Sequence, residues 1–148
     1  VSTEEKLMEP ITSDFFPNID DNFKGFIDLV LKTDDGKYHV IDWKTCSWGW
    51  DSRRKADKMT CYQLVLYKKF FAQKHNLDLN DVETHFALLK RTAKKNQVEI
   101  FRVTSGQKRI KNSLDMLETS IYNIVNKKYV KNRLACARCP YKKTKYCT

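Results

Sequence analysis

Asp28 and Asp42 stand fourteen residues apart, and Lys44 follows the second by two, in the stretch "FIDLVLKTDDGKYHVIDWKT". Both aspartates interrupt apolar runs where a strand's neighbours are Val, Ile or Leu, and an unpaired carboxylate in such a place is costly. The runs flank Asp34-Asp35-Gly36, which reads as a three-residue hairpin loop with glycine in the left-handed position such loops require. In that register Thr33 faces Lys37 and Asp28 faces Asp42, with Cβ atoms roughly 4.5–5.5 Å apart. The two-residue period puts Lys44 on the face of Asp42. Carboxylates that close repel unless a cation or a proton lies between them. Mg²⁺ is the hard ion that takes one or two carboxylates together with substrate phosphate. A lysine beside it can orient or deprotonate the attacking water, or neutralise charge building on the phosphate. The set suits phosphodiester hydrolysis. Two alternatives stand beside it: a two-residue Asp35-Gly36 turn, which sets Asp28 against Trp43, and a surface hairpin whose Asp42–Lys44 pair is merely solvated.

Further along, "YQLVLYKKF" places Gln63 and Tyr67 four apart, on one face of a helix. "GFIDLV" followed by "DWK", and then by this pair, resembles the PD-(D/E)XK nuclease superfamily, and the Gln63–Tyr67 spacing resembles the QxxxY motif of its RecB-type branch. Ile27 stands where the eponymous proline would be. The resemblance implies Mg²⁺- or Mn²⁺-dependent hydrolysis of DNA by a metal-activated water, leaving a 5′ phosphate, with exonuclease action favoured. It implies that Asp28 and Asp42 hold the metal, that Lys44 positions the water and stabilises the transition state, and that Gln63 and Tyr67 support the site.

Five cysteines are present, three of them in the last thirteen residues: Cys136, Cys139 and Cys147. An odd, clustered set argues for a reducing compartment and a metal or cluster site over a disulfide framework. CxxC lets two thiolates grip one ion, and a nearby third fills another position. The tail resembles the C-terminal cysteine cluster of RecB-type nucleases such as the AddB nuclease half and the CRISPR adaptation nucleases, which implies a [4Fe–4S] cluster. Zinc is the alternative. In those relatives the fourth cysteine precedes the core, as does a first helix; neither is found ahead of Asp28, so one expects a single nuclease domain over 1–148 lacking that helix. Cys46 and Cys61 are the other candidates for a fourth ligand. The basic tail over 126–148 is expected to pack on the domain.

Trp48 and Trp50 lead into Arg53, Arg54 and Lys55, and aromatics beside cations suit single-stranded nucleic acid, whose bases stack and whose phosphates pair. Trp43 is expected in the core, and His39, His75 and His85 read as structural. The net charge is +10, divided unevenly: residues 1–51 hold 5 Lys/Arg against 11 Asp/Glu, and residues 52–148 hold 23 against 7. The basic part would attract a polyanion such as DNA. The partners expected are DNA, with single-stranded ends favoured, and a helicase or recombination protein, since the chain carries no phosphate-binding GxxxxGK[ST] loop of its own. A non-catalytic nucleic-acid-binding module with a cysteine-bound metal, or a nuclease-like subunit of a helicase–nuclease assembly, is the rival reading. No apolar run approaches the ~18 residues of a membrane helix, and an intracellular, cytoplasmic location is expected.

These residues need elements to hold them. With 148 residues, 41% hydrophobic and 12% aromatic, the chain is long enough for one cored domain. "STEEKLMEPI" reads as a strand, "DFFPNIDDN" as a loop, and residues 26–45 as the hairpin. One helix is expected over 52–75, with Met59, Tyr62, Leu66 and Phe70 as its apolar stripe. "THFALLK" and "QVEIFRV" read as strands around "RTAKKN". Thr104 or Ser105 would cap a second helix reaching Val125. The order predicts an α/β fold: a small mixed central sheet flanked by helices, a restriction-endonuclease-like core, with a cysteine-rich C-terminal tail.

Overall fold

The computed structural model describes residues 1–12, 21–129, 133–145 and 147. The chain forms five strands: β1 (Ser2–Pro10), which is mostly polar, and β2 (Asn22–Lys32), β3 (Tyr38–Cys46), β4 (Val82–Lys90) and β5 (Val98–Arg102), which carry the β-branched, aromatic and Leu residues. They lie in one sheet in chain order. Only β3 and β4 are parallel; the other neighbours are antiparallel. A parallel pair needs a crossover, supplied by α1 (Ser52–Lys55) and α2 (Lys58–His75). A further helix, α3 (Gln107–Val125), follows β5. This is the expected mixed sheet with helices.

The segment expected as one helix over 52–75 is two. Asp51 caps α1, accepting from Arg54 N–H at 2.7 Å, and Asp57 caps α2, accepting from Thr60 N–H at 2.8 Å. A second cap restarts the helix because aspartate competes for the backbone donors that a continuous helix would use. Met59 therefore falls in the first turn of α2 and is exposed, while Tyr62, Leu66 and Phe70 are buried. Asn76, left-handed at φ 52°, ends α2, its N–H reaching Ala72 O and Gln73 O. The other helix starts at Gln107, not next to Thr104 or Ser105.

Half of α2 is buried, including Cys61, Leu64, Val65, Phe70 and Phe71, as expected for a helix that is apolar on more than one side. It lies across β1 to β4. The ring of Phe23 stacks on Phe70 at 4.2 Å between centroids, and Gly25 is so close to Tyr67 that an added Cβ would come within 2.7 Å of Cε1. The other sheet face is more open. Trp43, expected in the core, lies there and is 38% exposed, because α2 covers the opposite face.

The described chain divides into two compact units, Val1–Asp115 and Met116–Thr148. The second holds the C-terminal part of α3 and a 3₁₀ turn over Arg133–Arg138. The loop expected over 14–22 falls mostly on residues 13–20, outside the described residues. No helix among the described residues is long and apolar enough to cross a membrane.

Candidate active site

The hairpin between β2 and β3 has the three-residue register. Leu29 pairs with Ile41, Val30 with Val40, Leu31 with His39 and Lys32 with Tyr38. Thr33 and Lys37 close the loop by a 2.9 Å backbone hydrogen bond, with Gly36 at φ 84°. The two-residue turn that would set Asp28 against Trp43 is excluded.

At Asp28 the alternation of β2 slips. Phe23 and Gly25 face α2, and so does Val30, paired with the buried Val40; an even-numbered residue has taken the face that odd-numbered ones held. Across the sheet, the β1–β2 ladder passes over Glu4, at φ 52°, and Asp28. Irregularities of this kind re-aim a side chain. The Asp28 carboxylate turns to the backbone of β3, its Oδ2 accepting from Trp43 N–H at 2.8 Å.

Asp42 is 3% exposed. Its Oδ1 accepts from Gln63 Nε2 at 3.0 Å, and the same amide reaches Tyr67 OH at 3.3 Å, so α2 and β3 meet through the Gln63–Tyr67 pair. Its Oδ2 lies 2.8 Å from Lys44 Nζ, near enough for an ion pair but not aligned as a hydrogen bond; Oδ2 is sealed from solvent without a hydrogen-bond partner among the described residues. Burial pushes the Asp42 carboxyl above its ordinary value; Lys44 opposes that, and the charge of Asp28 adds to it. An orphaned buried oxygen, a second carboxylate and hard donors fit a divalent ion with oxygen preference. Asp28, Asp42, Lys44, Gln63 and Tyr67 are thus brought together from β2, β3 and α2.

The nucleic-acid set divides. Trp48 is 77% exposed. Trp50 is core: it packs on Phe86 and Phe101 at 5.3 and 6.1 Å between centroids, and the Arg54 guanidinium lies 4.6 Å over its ring. Its faces are occupied, which corrects the expectation that Trp50 stacks on a base. Arg53 is exposed, while Lys55 pairs with Glu99.

All five cysteines are free thiols. Cys46 and Cys61 are buried, Cys136 and Cys139 half-buried, and Cys147 exposed. Among the described residues the one trio of His, Cys, Asp or Glu whose ligand atoms lie within 4.8 Å of one another is His39, Glu83 and His85. On sequence alone these histidines are expected to be structural. Glu83 and His85, two apart on one strand, were legible as sharing a face; the approach of His39 was not, because the β3–β4 pairing lies across a crossover. Burial, with His39 nearby, holds His85 below its ordinary value.

The fold is similar to that of SSO0001, known from a crystal structure, with a TM-score of 0.58 at 15% identity over 97% of this chain. This chain spans 62% of that one. No curated protein matches the sequence. The α/β sheet with two acids and a lysine at its hairpin defines a class of phosphodiester-cutting enzymes that use divalent metals. Residues 2–144 match the PD-(D/E)XK nuclease superfamily, and the chain belongs to it.

Proposed function

We propose that this chain is a RecB-type DNA nuclease domain, acting with Mg²⁺ or Mn²⁺ as an exonuclease with a preference for single-stranded ends. The observation that carries the reading is the convergence of Gln63 and Lys44 on the buried Asp42 carboxylate, with the charge of Asp28 acting on it from β2. Asp28 and Asp42 would hold the ion. When bound, it supplies Lewis acidity to the scissile phosphate and to water.

The chain's own residues have separable tasks. Gln63 fixes one oxygen of Asp42 and so aims the other, a supporting contact of the kind that tunes ligands. Tyr67 steadies that amide. Lys44, paired with Asp42 Oδ2 at 2.8 Å, would position water and offset negative charge on the phosphate. Arg53 and Trp48 offer an exposed cation and an exposed ring beside this strand for the backbone and a base. The cysteine tail over 126–148, with Cys136, Cys139 and Cys147, would bind a [4Fe–4S] cluster, or zinc in its place. Partners would be DNA and a helicase or recombination protein, in the cytoplasm.

The test is degradation of end-labelled single- and double-stranded DNA with Mg²⁺, Mn²⁺ or chelator, comparing the chain with Lys44→Ala and Asp42→Ala. Cutting that needs metal and is lost in both variants, with DNA binding retained by Lys44→Ala, supports the reading. Salt-sensitive binding without any cutting, unchanged in Asp42→Ala, would replace it with a non-catalytic binding module. Iron and acid-labile sulfide analysis of anaerobically prepared protein separates cluster from zinc.

A further inference from the structure

We propose a second metal site, chemically unlike the first, in which His39, Glu83 and His85 bind a transition-metal ion of borderline softness, Zn²⁺ being the type. His39 comes from β3 and the other two from β4. In the parallel register His39 is paired with Glu83 and Ile41 with His85, so all three side chains stand on the sheet face that α2 leaves open.

Their geometry is near that of a ligand set. His39 Nδ1 lies 3.1 Å from His85 Nε2, and Glu83 Oε2 lies 4.0 and 3.8 Å from the same two atoms. Ligand atoms at about 2.0–2.1 Å from a tetrahedral ion are roughly 3.3 Å apart. The rings already have that separation, and the carboxylate needs to approach by roughly half an ångström. The remaining oxygen of Glu83 is gripped from behind: Arg102 Nη2 lies 3.3 Å and Lys37 Nζ 3.5 Å from Oε1. That leaves Oε2 directed at the imidazoles, the kind of outer contact that orients a ligand. The far nitrogen of His39, Nε2, lies 3.5 Å from Thr33 Oγ1. Side-chain exposures of 23%, 16% and 16% for His39, Glu83 and His85 shelter the site while leaving an approach.

Two imidazoles and one carboxylate select against Mg²⁺, which prefers oxygen, and suit Zn²⁺. Three protein ligands leave a fourth position for water or an external donor. The ion would clamp β3 to β4, the pair whose β3 strand carries Asp42 and Lys44 farther along. Without metal the same geometry is a histidine–histidine hydrogen bond beside two cations on Glu83.

Zinc uptake by the full-length chain carrying Cys136→Ser, Cys139→Ser and Cys147→Ser, in excess Mg²⁺, removes competition from thiolates and from the aspartate site. One equivalent is expected. Affinity should fall at least tenfold on adding His85→Gln or Glu83→Gln, and stay the same on adding Asp42→Asn. In the unsubstituted chain, zinc should shift the imidazole nitrogen signals of His39 and His85 and spare those of His75, a readout independent of whether variants fold. Zinc uptake indifferent to both ligand substitutions, absence of uptake, or unmoved His39 and His85 signals would each overturn the site.

Discussion

Asp42 is nearly sealed from solvent, and one of its oxygens has no hydrogen-bond partner among the described residues. Its ionised form therefore weakens the metal-free fold. Because burial raises the carboxyl above its ordinary value, the stability it contributes is fully present below the unfolded value and is lost as pH rises through the folded one. Asp42→Asn should accordingly raise the melting temperature of metal-free protein by on the order of a few degrees at pH above the folded value, while abolishing DNA cleavage. Thermal melts with chelator and with Mg²⁺ check this: the ion should narrow the difference, and an asparagine variant less stable than its parent in chelator would contradict it. Asp42 and Lys44 were legible because a two-residue period puts them on one face; the seat of the Asp28 carboxylate on Trp43 N–H was not, since β2 loses that period there. Nor was Trp50. Its neighbours Arg53 and Arg54 suggested a binding surface, but Phe86 and Phe101, far along the chain, take up its ring.

Two contacts set where α2 lies on the sheet, and each is testable. Gly25 is where β2 passes under Tyr67, and an added Cβ would stand 2.7 Å from Cε1 of that ring. Gly25→Ala should cost about 1–3 kcal/mol through overpacking and lower cleavage more than tenfold, because moving Tyr67 disturbs the amide that holds Asp42. Gly106→Ala, whose Cβ would meet nothing within 4 Å, is the control; urea titrations and cleavage rates read both. At the other end of α2, Lys74 and His75 hold Glu5 of β1, with Ser2 adding a 2.8 Å hydrogen bond. The Lys74 hydrogen bond is the main cause of the fall in the Glu5 carboxyl from 4.5 to about 2. A lowered acid contributes stability above its unfolded value and loses it as pH falls through the folded one, here from about 4.5 toward about 2. With Lys74 one-third exposed, roughly 1–2 kcal/mol remains after screening. Glu5→Gln should show that loss at pH 7 and little difference at pH 2, measured by urea unfolding. Met59 of the expected stripe is exposed, while Tyr62, Leu66 and Phe70 were readable from their spacing. The break at Asp57 was not, since the cap that restarts the helix is a competition among neighbouring backbone donors.

For the whole molecule, the positive charge is concentrated after residue 51, so the proposed DNA binding would be a counterion-release process. If about five phosphates of a single strand are neutralised, affinity falls roughly tenfold for each doubling of salt. Filter binding across a salt series with chelator present tests this apart from cleavage; affinity flat with salt would count against a basic DNA-binding surface.

The sequence by itself determined what acts at short range: the hairpin register, the pairing of acid and lysine on one face, the helical spacing of Gln63 and Tyr67, and hence the family. These follow from loop length and from periods of two and 3.6 residues, which need no knowledge of distant contacts. Only the tertiary structure decided what depends on pairing across the crossover. It put His39 beside Glu83 and His85, turned Trp43 to the open face, and closed Trp50 into the core. It also slipped β2 at Asp28, so that odd-numbered Phe23 and Gly25 before it and even-numbered Val30 after it face the same helix, which a strand of period two cannot do without a break.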